Sequence, residues 1–186
     1  MQWESGMELE RELRDLIARR DIIKAIHAYM RGQDRLDRDL QLSSFHADAD
    51  VDCGLLRGGP EAYTDFAQGF LADLHGSQHI IGQIDIDVDI DAGTASGEVY
   101  FFAWHRTRNA DGTEKDLLMA GRYVDDYAYK DGRWAIQRRR ELIDWARHDR
   151  ATDAILHEQV TIHLAGPRGA DFSQTRDWHS GTSGRD

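Results

Sequence analysis

A single cysteine, Cys53, stands among the 186 residues. A lone thiol closes no internal disulfide and builds no cysteine-based zinc site, so the fold must stand on packing. Positive charge is also scarce: 23 Lys and Arg face 34 Asp and Glu, a formal charge of −11. That balance disfavours partners bound through their phosphates, which removes nucleic acid and anionic membrane surfaces from the expected partners. Long hydrophobic runs are missing as well. The longest wholly apolar stretch, Val99-Tyr100-Phe101-Phe102-Ala103-Trp104, falls far short of the roughly 20 residues that span a bilayer. Met1-Gln2-Trp3-Glu4-Ser5 has neither the basic start nor the apolar run of a secretory signal, so a cytoplasmic protein is expected.

Hydrophobic residues make up 40% of the chain, enough for one core at this length. The pattern predicts a single domain over residues 1–165 and a polar tail over 166–186, rich in Gly, Ser, Arg and Asp, that is mobile unless a partner subunit orders it. Leu9, Leu13, Leu16, Ile17, Ile23, Ile26 and Met30 recur at helical spacing, and Gly32 sits where a C-cap glycine would. A short second helix is expected from Asp37 to Phe45. Gly59-Pro60-Glu61 then opens a third, with Tyr63, Phe66, Phe70 and Leu74 on one side.

Beyond His75-Gly76 the period changes from helical to alternating. Ile84, Ile86, Val88 and Ile90 interleave with Asp85, Asp87, Asp89 and Asp91, the mark of a strand with one wet face. Further strands are predicted over Ala95–Thr107, Leu117–Tyr129 and Arg133–Trp145, separated by Asn109-Ala110-Asp111-Gly112 and Lys130-Asp131-Gly132. Helices followed by an antiparallel meander mean an α+β fold with the helices on one side of a curved sheet.

This ordered set, Tyr29-Met30-Arg31-Gly32-Gln33-Asp34, Phe45-His46-Ala47-Asp48-Ala49, Ser77-Gln78-His79, Gly121-Arg122-Tyr123 and Gly132-Arg133-Trp134-Ala135-Ile136, resembles the SnoaL-like branch of the nuclear transport factor two-like superfamily. The resemblance covers roughly Leu9 to Trp145. It implies a cystatin-like cone, in which a strongly bent antiparallel sheet wraps the N-terminal helices and an apolar cavity opens at one end, with Phe45–Ala49 forming a structural turn. Such cones serve unrelated functions, so the fold alone does not name one. The cofactor-free lyases of this group carry an Asp after the first helix and a His at the start of the first long strand; the matching residues are Asp34 and His79. The same lyases imply Tyr29 as a polar residue five before the Asp, His105 as a second cavity histidine and Arg139 as an arginine of the last strand. Relatives are trimers or dimers, so a homo-oligomer is expected.

A neutral imidazole, with a reference pKa near 6.5, is a usable base at neutral pH when a carboxylate holds its other nitrogen. Asp34 would orient His79, and the pair would take a proton beside a departing group. Tyr29 or His105 would protonate a leaving hydroxyl, and Arg139 or Arg122 would stabilise developing negative charge. Phe101, Ala103 and Trp104 would wall the cavity around a small hydrophobic, aromatic or polycyclic substrate. The scheme requires no metal and no organic cofactor. Dehydration and carbon–carbon cleavage with loss of formaldehyde remain open, beside a polyketide cyclase or isomerase and a non-catalytic cone such as a ring-hydroxylating oxygenase small subunit or a ligand-binding partner. The run Asp87, Asp89, Asp91 and Glu98 is spaced like a calcium loop, but Ala92 occupies the glycine position and strands flank it. His46, Asp48 and Asp50 likewise make no metal site in this reading.

Overall fold

The structure is a computed structural model that describes residues 2–153, 163–166 and 170–178, with side chains from Gly6 onward. Helix α1 runs over Gln2–Asp34, longer at both ends than its apolar pattern. Its packed face is Ala18, Ile22, Ala25, Ile26, Tyr29, Met30 and Gln33, whereas Leu9, Leu13, Leu16 and Ile17 are exposed. The expected apolar stripe is therefore corrected in its first half, where no described layer covers these side chains. There Arg14 and Arg19 tie the helix to the sheet edge by donating to the carbonyls of Ile90 and Ile86.

Gly32 is not the cap. Leu36 is, at φ 51°, with Leu36 N–H bonding to Gln33 O and Asp37 N–H to Gly32 O, a six-to-one and five-to-two pair that closes the helix. Gly32 is small for another reason: a Cβ there would come within 2.5 Å of the Gln41 backbone nitrogen. Gln41 belongs to α2 (Arg38–Leu42), capped by the Asp37 side chain accepting from Leu40 N–H at 3.0 Å. The second helix thus stops before Phe45. Residues Phe45–Asp52 form strand β1, correcting the expected turn, and β2 (Arg57–Gly58) pairs with it.

Helix α3, Pro60–Ala72, begins with proline at its first turn. It buries Tyr63, Thr64, Ala67 and Leu71 and leaves Phe66 and Phe70 partly exposed, so its packed face is rotated from the one expected. Strands β3 (Gly76–Asp89), β4 (Thr94–Arg108), β5 (Glu114–Lys130) and β6 (Arg133–Arg150) follow. The sheet order is β2-β1-β6-β5-β4-β3. β3 to β6 form the expected antiparallel meander, but β1 lies parallel to β6, so the sheet is mixed.

Cross-strand pairing sorts the side chains by face. Val99, Phe101, Ala103, Tyr123, Tyr127 and Ile136 point inward and meet α1 and α3 in the main core. Of the tail, α4 (Phe172–Thr175) lies against the end of α1, where Arg31 and Arg35 bond to Ser173 and Arg35 pairs with Asp171 at 3.6 Å. Residues 179–186 lie outside the described residues. No helix among the described residues is long and apolar enough to cross a membrane.

Candidate functional site

Asp34 is the last residue of α1, and His79 lies four residues into β3. The helix end therefore meets the start of the edge strand. Asp34 accepts from the His79 backbone N–H through both carboxylate oxygens, at 3.1 Å each, and from His79 Nδ1 at 2.7 Å. A carboxylate can only accept, so Nδ1 carries the proton and Nε2 of the neutral ring keeps its lone pair. The two side chains are 6% and 14% exposed, which shields the pair from bulk water without sealing it. They line a cleft of about 440 Å³ with His27, Met30, Arg31, Arg35, Ile80 and Ile81.

His105 stands beside them. Its ring meets His79 edge-on at 5.2 Å between centroids, its Nδ1 lies 3.1 Å from Ser77 Oγ, and half-exposed Phe70 packs edge-on against it at 5.9 Å. The pairs Ser77 with His105 and His79 with Ala103 place these four on one face of neighbouring strands. Asp34, His79, His105 and Ala103 are thus brought together.

Tyr29 and Arg139 belong to a second, deeper group. Tyr29 is fully buried, its hydroxyl bonded to that of Tyr63 and accepting from Gln33 Nε2 at 2.9 Å. Burial pushes its phenol up to about 12, so it stays protonated through the neutral range. Arg139 lies between the Tyr29 and Tyr123 rings, 4.1 and 4.2 Å from their centroids. Its guanidinium donates twice to Asp125, at 2.8 and 2.6 Å, leaving Nη1 buried without a partner. Phe101 stacks on Tyr123 at 4.5 Å.

Two expected wall residues lie elsewhere. Trp104 and Arg122 pair with Leu118 and Tyr100 on the outer face, since alternation turns them away from Ala103 and Phe101. Arg122 is bound there to Asp144 and Glu98 and covers Tyr100. The expected substrate-binding role of both is corrected on this ground. His46, Asp48 and Asp50 are engaged with Ala128 O, Lys130 and Arg57. Among the described residues no group of three His, Cys, Asp or Glu side chains could hold a metal ion.

Sequence reading missed Tyr63, Asp125 and Glu141. The register puts Asp125 opposite Arg139 and Glu141 opposite Tyr123, on the inner face. The only signal for Glu141 was its place two residues after Arg139, which on a strand means a shared face. Burial raises its carboxyl above the usual range, while the charges of Arg139 and His79 pull it back.

The SnoaL-like domain family matches residues 14–140. Among solved structures, a hexachlorocyclohexane dehydrochlorinase (LinA) of type 2 is 19% identical, with a TM-score of 0.66 over 84% of this chain and 98% of that one. The type 3 enzyme from Novosphingobium barchaimii is 18% identical, with a TM-score of 0.65 over 84% and 99%. A candidate scytalone dehydratase from Novosphingobium aromaticivorans is 21% identical, with a TM-score of 0.63 over 75% and 92%. No curated protein matches the chain. At these identities the structures share the fold, and the family match, which spans most of the chain and both residues of the Asp34–His79 pair, shows that this protein belongs to the SnoaL-like domain family.

Proposed function

We propose that the protein is a cofactor-independent lyase in which the Asp34–His79 dyad removes a proton from a small hydrophobic, aromatic or polycyclic substrate and water or formaldehyde is eliminated. The observation that carries this reading is the 2.7 Å contact between Asp34 and His79 Nδ1 beside the cleft, with Nε2 left as the basic nitrogen. In dehydration, Nε2 takes a proton from a carbon, the C–H electron pair becomes the new double bond, and the hydroxyl on the next carbon departs. In the deformylating variant the proton comes from a hydroxymethyl group. Its oxygen becomes the carbonyl of formaldehyde, and the C–C pair forms the double bond that expels the neighbouring hydroxyl.

General base assistance contributes roughly 100- to 10,000-fold, and placing the substrate beside His79 supplies further rate. Asp34 stabilises the imidazolium that forms and holds the ring in one tautomer. Phe101 and Ala103 offer an apolar wall, and His105, in ring contact with His79, would touch the same ligand. A homo-oligomer, trimer or dimer, formed through the outer sheet face completes the proposal.

The test is turnover of aromatic and polycyclic β-hydroxy compounds, diarylpropane diols included, by wild type, Asp34→Asn and His79→Ala, each first checked by circular dichroism. Wild-type turnover without added metal or cofactor, reduced at least about 100-fold in either variant, is expected. Ligand binding kept by all three proteins with no turnover would overturn the lyase reading in favour of a binding role.

A further inference from the structure

The cleft beside the dyad carries more positive charge than the dyad needs. Its lining holds two guanidiniums, Arg31 and Arg35, against one carboxylate, Asp34, in a chain whose formal charge is −11. Asp34 already accepts from the His79 backbone N–H and from Nδ1. Arg35 is also answered: it lies 3.6 Å from Asp171 and donates to Ser173 Oγ at 3.1 Å and to the Asp34 carbonyl at 3.4 Å. Arg31 is different. It gives one N–H to the Ser173 carbonyl at 3.1 Å and forms no ion pair with any described residue, so most of a five-donor guanidinium is left over. A second cavity, of about 660 Å³, shows the contrast. There Arg57, Arg138, Arg139 and Arg140 each meet an aspartate, at 2.8, 3.1, 2.6 and 3.1 Å.

The last turns of α1 set where this spare charge sits. His27, Arg31 and Asp34, spaced i, i+4 and i+7, share the helix face turned to the cleft. A rise of about 1.5 Å per residue puts Arg31 less than one turn from Asp34, within the span of a fused aromatic ring. A basic residue in the last turn also suits the helix dipole. That accounts for the charge, not for the place of the side chain in the cleft lining. Met30, Ile80 and Ile81 give the same cleft an apolar side. An apolar surface with one unmatched positive charge fits a molecule with an apolar body and a single negative charge. Arg31 is exposed, so an anion meeting it keeps part of its water while the apolar body leaves water behind.

We propose that the substrate of this cleft bears a carboxylate, as an aromatic or polycyclic acid does, and that Arg31 binds it while the reacting carbon lies at His79. The inference deepens the lyase reading and rests on it for the chemistry at His79. The carboxylate is a handle and not the activating group, because a proton beside an ionised carboxylate is very weakly acidic. A single negative charge is called for and not a dianion, since Asp171 already balances Arg35.

Binding of 2-naphthoate and of its uncharged counterpart 2-naphthamide, followed by isothermal titration calorimetry, tests it without turnover. Wild type should bind the acid about 10- to 100-fold more tightly than the amide, the scale of a hydrogen-bonded charge pair. Arg31→Gln should lose that preference, and Arg31→Lys should keep part of it. Equal affinity of wild type for the two compounds, or binding of neither, would overturn the inference. So would a preference that Arg31→Gln retains. Equal weakening of both compounds in Arg31→Gln would give Arg31 only the structural task of holding Ser173, and overturns it as well. The two readings fail separately. Turnover of neutral β-hydroxy compounds without any preference for the acid would keep the lyase and sink the carboxylate, whereas a preference for the acid without turnover of any compound, carboxylated ones included, would keep the Arg31 site and sink the lyase.

Discussion

Asp125 and Arg139 show how much one buried pair can hold. Both are 1% exposed, joined by two hydrogen bonds, and Tyr127 donates to the same carboxylate at 2.8 Å. Two charges in a dry interior are stable only together, and removing one partner from such a pair typically costs about 3–5 kcal/mol. Asp125→Asn should lose stability on that scale in equilibrium urea unfolding, and Asp125→Leu combined with Arg139→Met should recover most of it. A loss below about 1 kcal/mol would mean that the tyrosine rings, not the aspartate, carry the guanidinium. Glu141 is the opposite case, since burial raises its carboxyl in the folded chain. Its contribution to stability is fully present below the unfolded value of about 4.3 and is lost as pH rises through the higher folded value. Glu141→Gln should therefore raise the melting temperature relative to wild type at pH 8 more than at pH 4. An equal shift at both pH values would show that the carboxyl titrates normally.

At the scale of elements, the crossing of α1 and α2 holds Asp34 in place. The chain reverses through Leu36, and α2 packs so closely on α1 that Gly32 has the Gln41 backbone against it. Alanine in a helix interior is ordinarily better than glycine by about 1 kcal/mol. Here the added methyl would meet backbone that cannot rotate aside, and overpacking of this kind typically costs about 1–3 kcal/mol. Gly32→Ala should lower the melting temperature by several degrees and weaken activity by shifting Asp34 away from His79. A rise in stability would mean that α2 moves aside at little cost. The other half of the dyad is fixed by β3, where the His79 N–H points from the sheet edge to the Asp34 carboxylate. An edge strand has backbone donors to spare, and here one of them ties the strand to the helix.

Across the whole molecule, the outer sheet face carries one apolar row among its charged pairs. Ile80, Phe102, Ala120 and Trp145 form one cross-strand row, with Ile80 at 52% and Trp145 at 46% exposure, and Phe102 and Trp145 in ring contact at 6.2 Å. Such a row in water is costly unless another surface covers it. A second copy of the chain is the expected partner, and light scattering should give a trimer or dimer mass. Trp145→Glu should shift that mass toward the monomer; an unchanged assembly would place the interface elsewhere. The exposed Leu9, Leu13, Leu16 and Ile17 on α1 are a separate apolar surface, away from this row.

The sequence by itself determined the order of elements, the antiparallel meander and the residue types of the candidate site, because hydrophobic period, glycine turns and the spacing of Asp34 and His79 are local or ordered along the chain. It also fixed much of the alternation on β3, where isoleucine and aspartate trade places residue by residue. Other features lay beyond it. Register decides which face a side chain takes, and the irregularities at Ile81/Ile84, Ala120/Gly121 and Asp126/Tyr127 arise from pairing between strands. Trp104 and Arg122 lie outside because alternation sets them opposite Ala103 and Tyr123, and packing against α1 and α3 makes the face of those two the inner one; Glu141 reads along the chain as one charge beside three arginines. The parallel pairing of β1 with β6, the sequestering of Arg139 by Asp125 and the packed face of α1 were likewise decided in three dimensions. In each case a side chain's environment depends on a neighbour many residues away, and only tertiary structure brings that neighbour near.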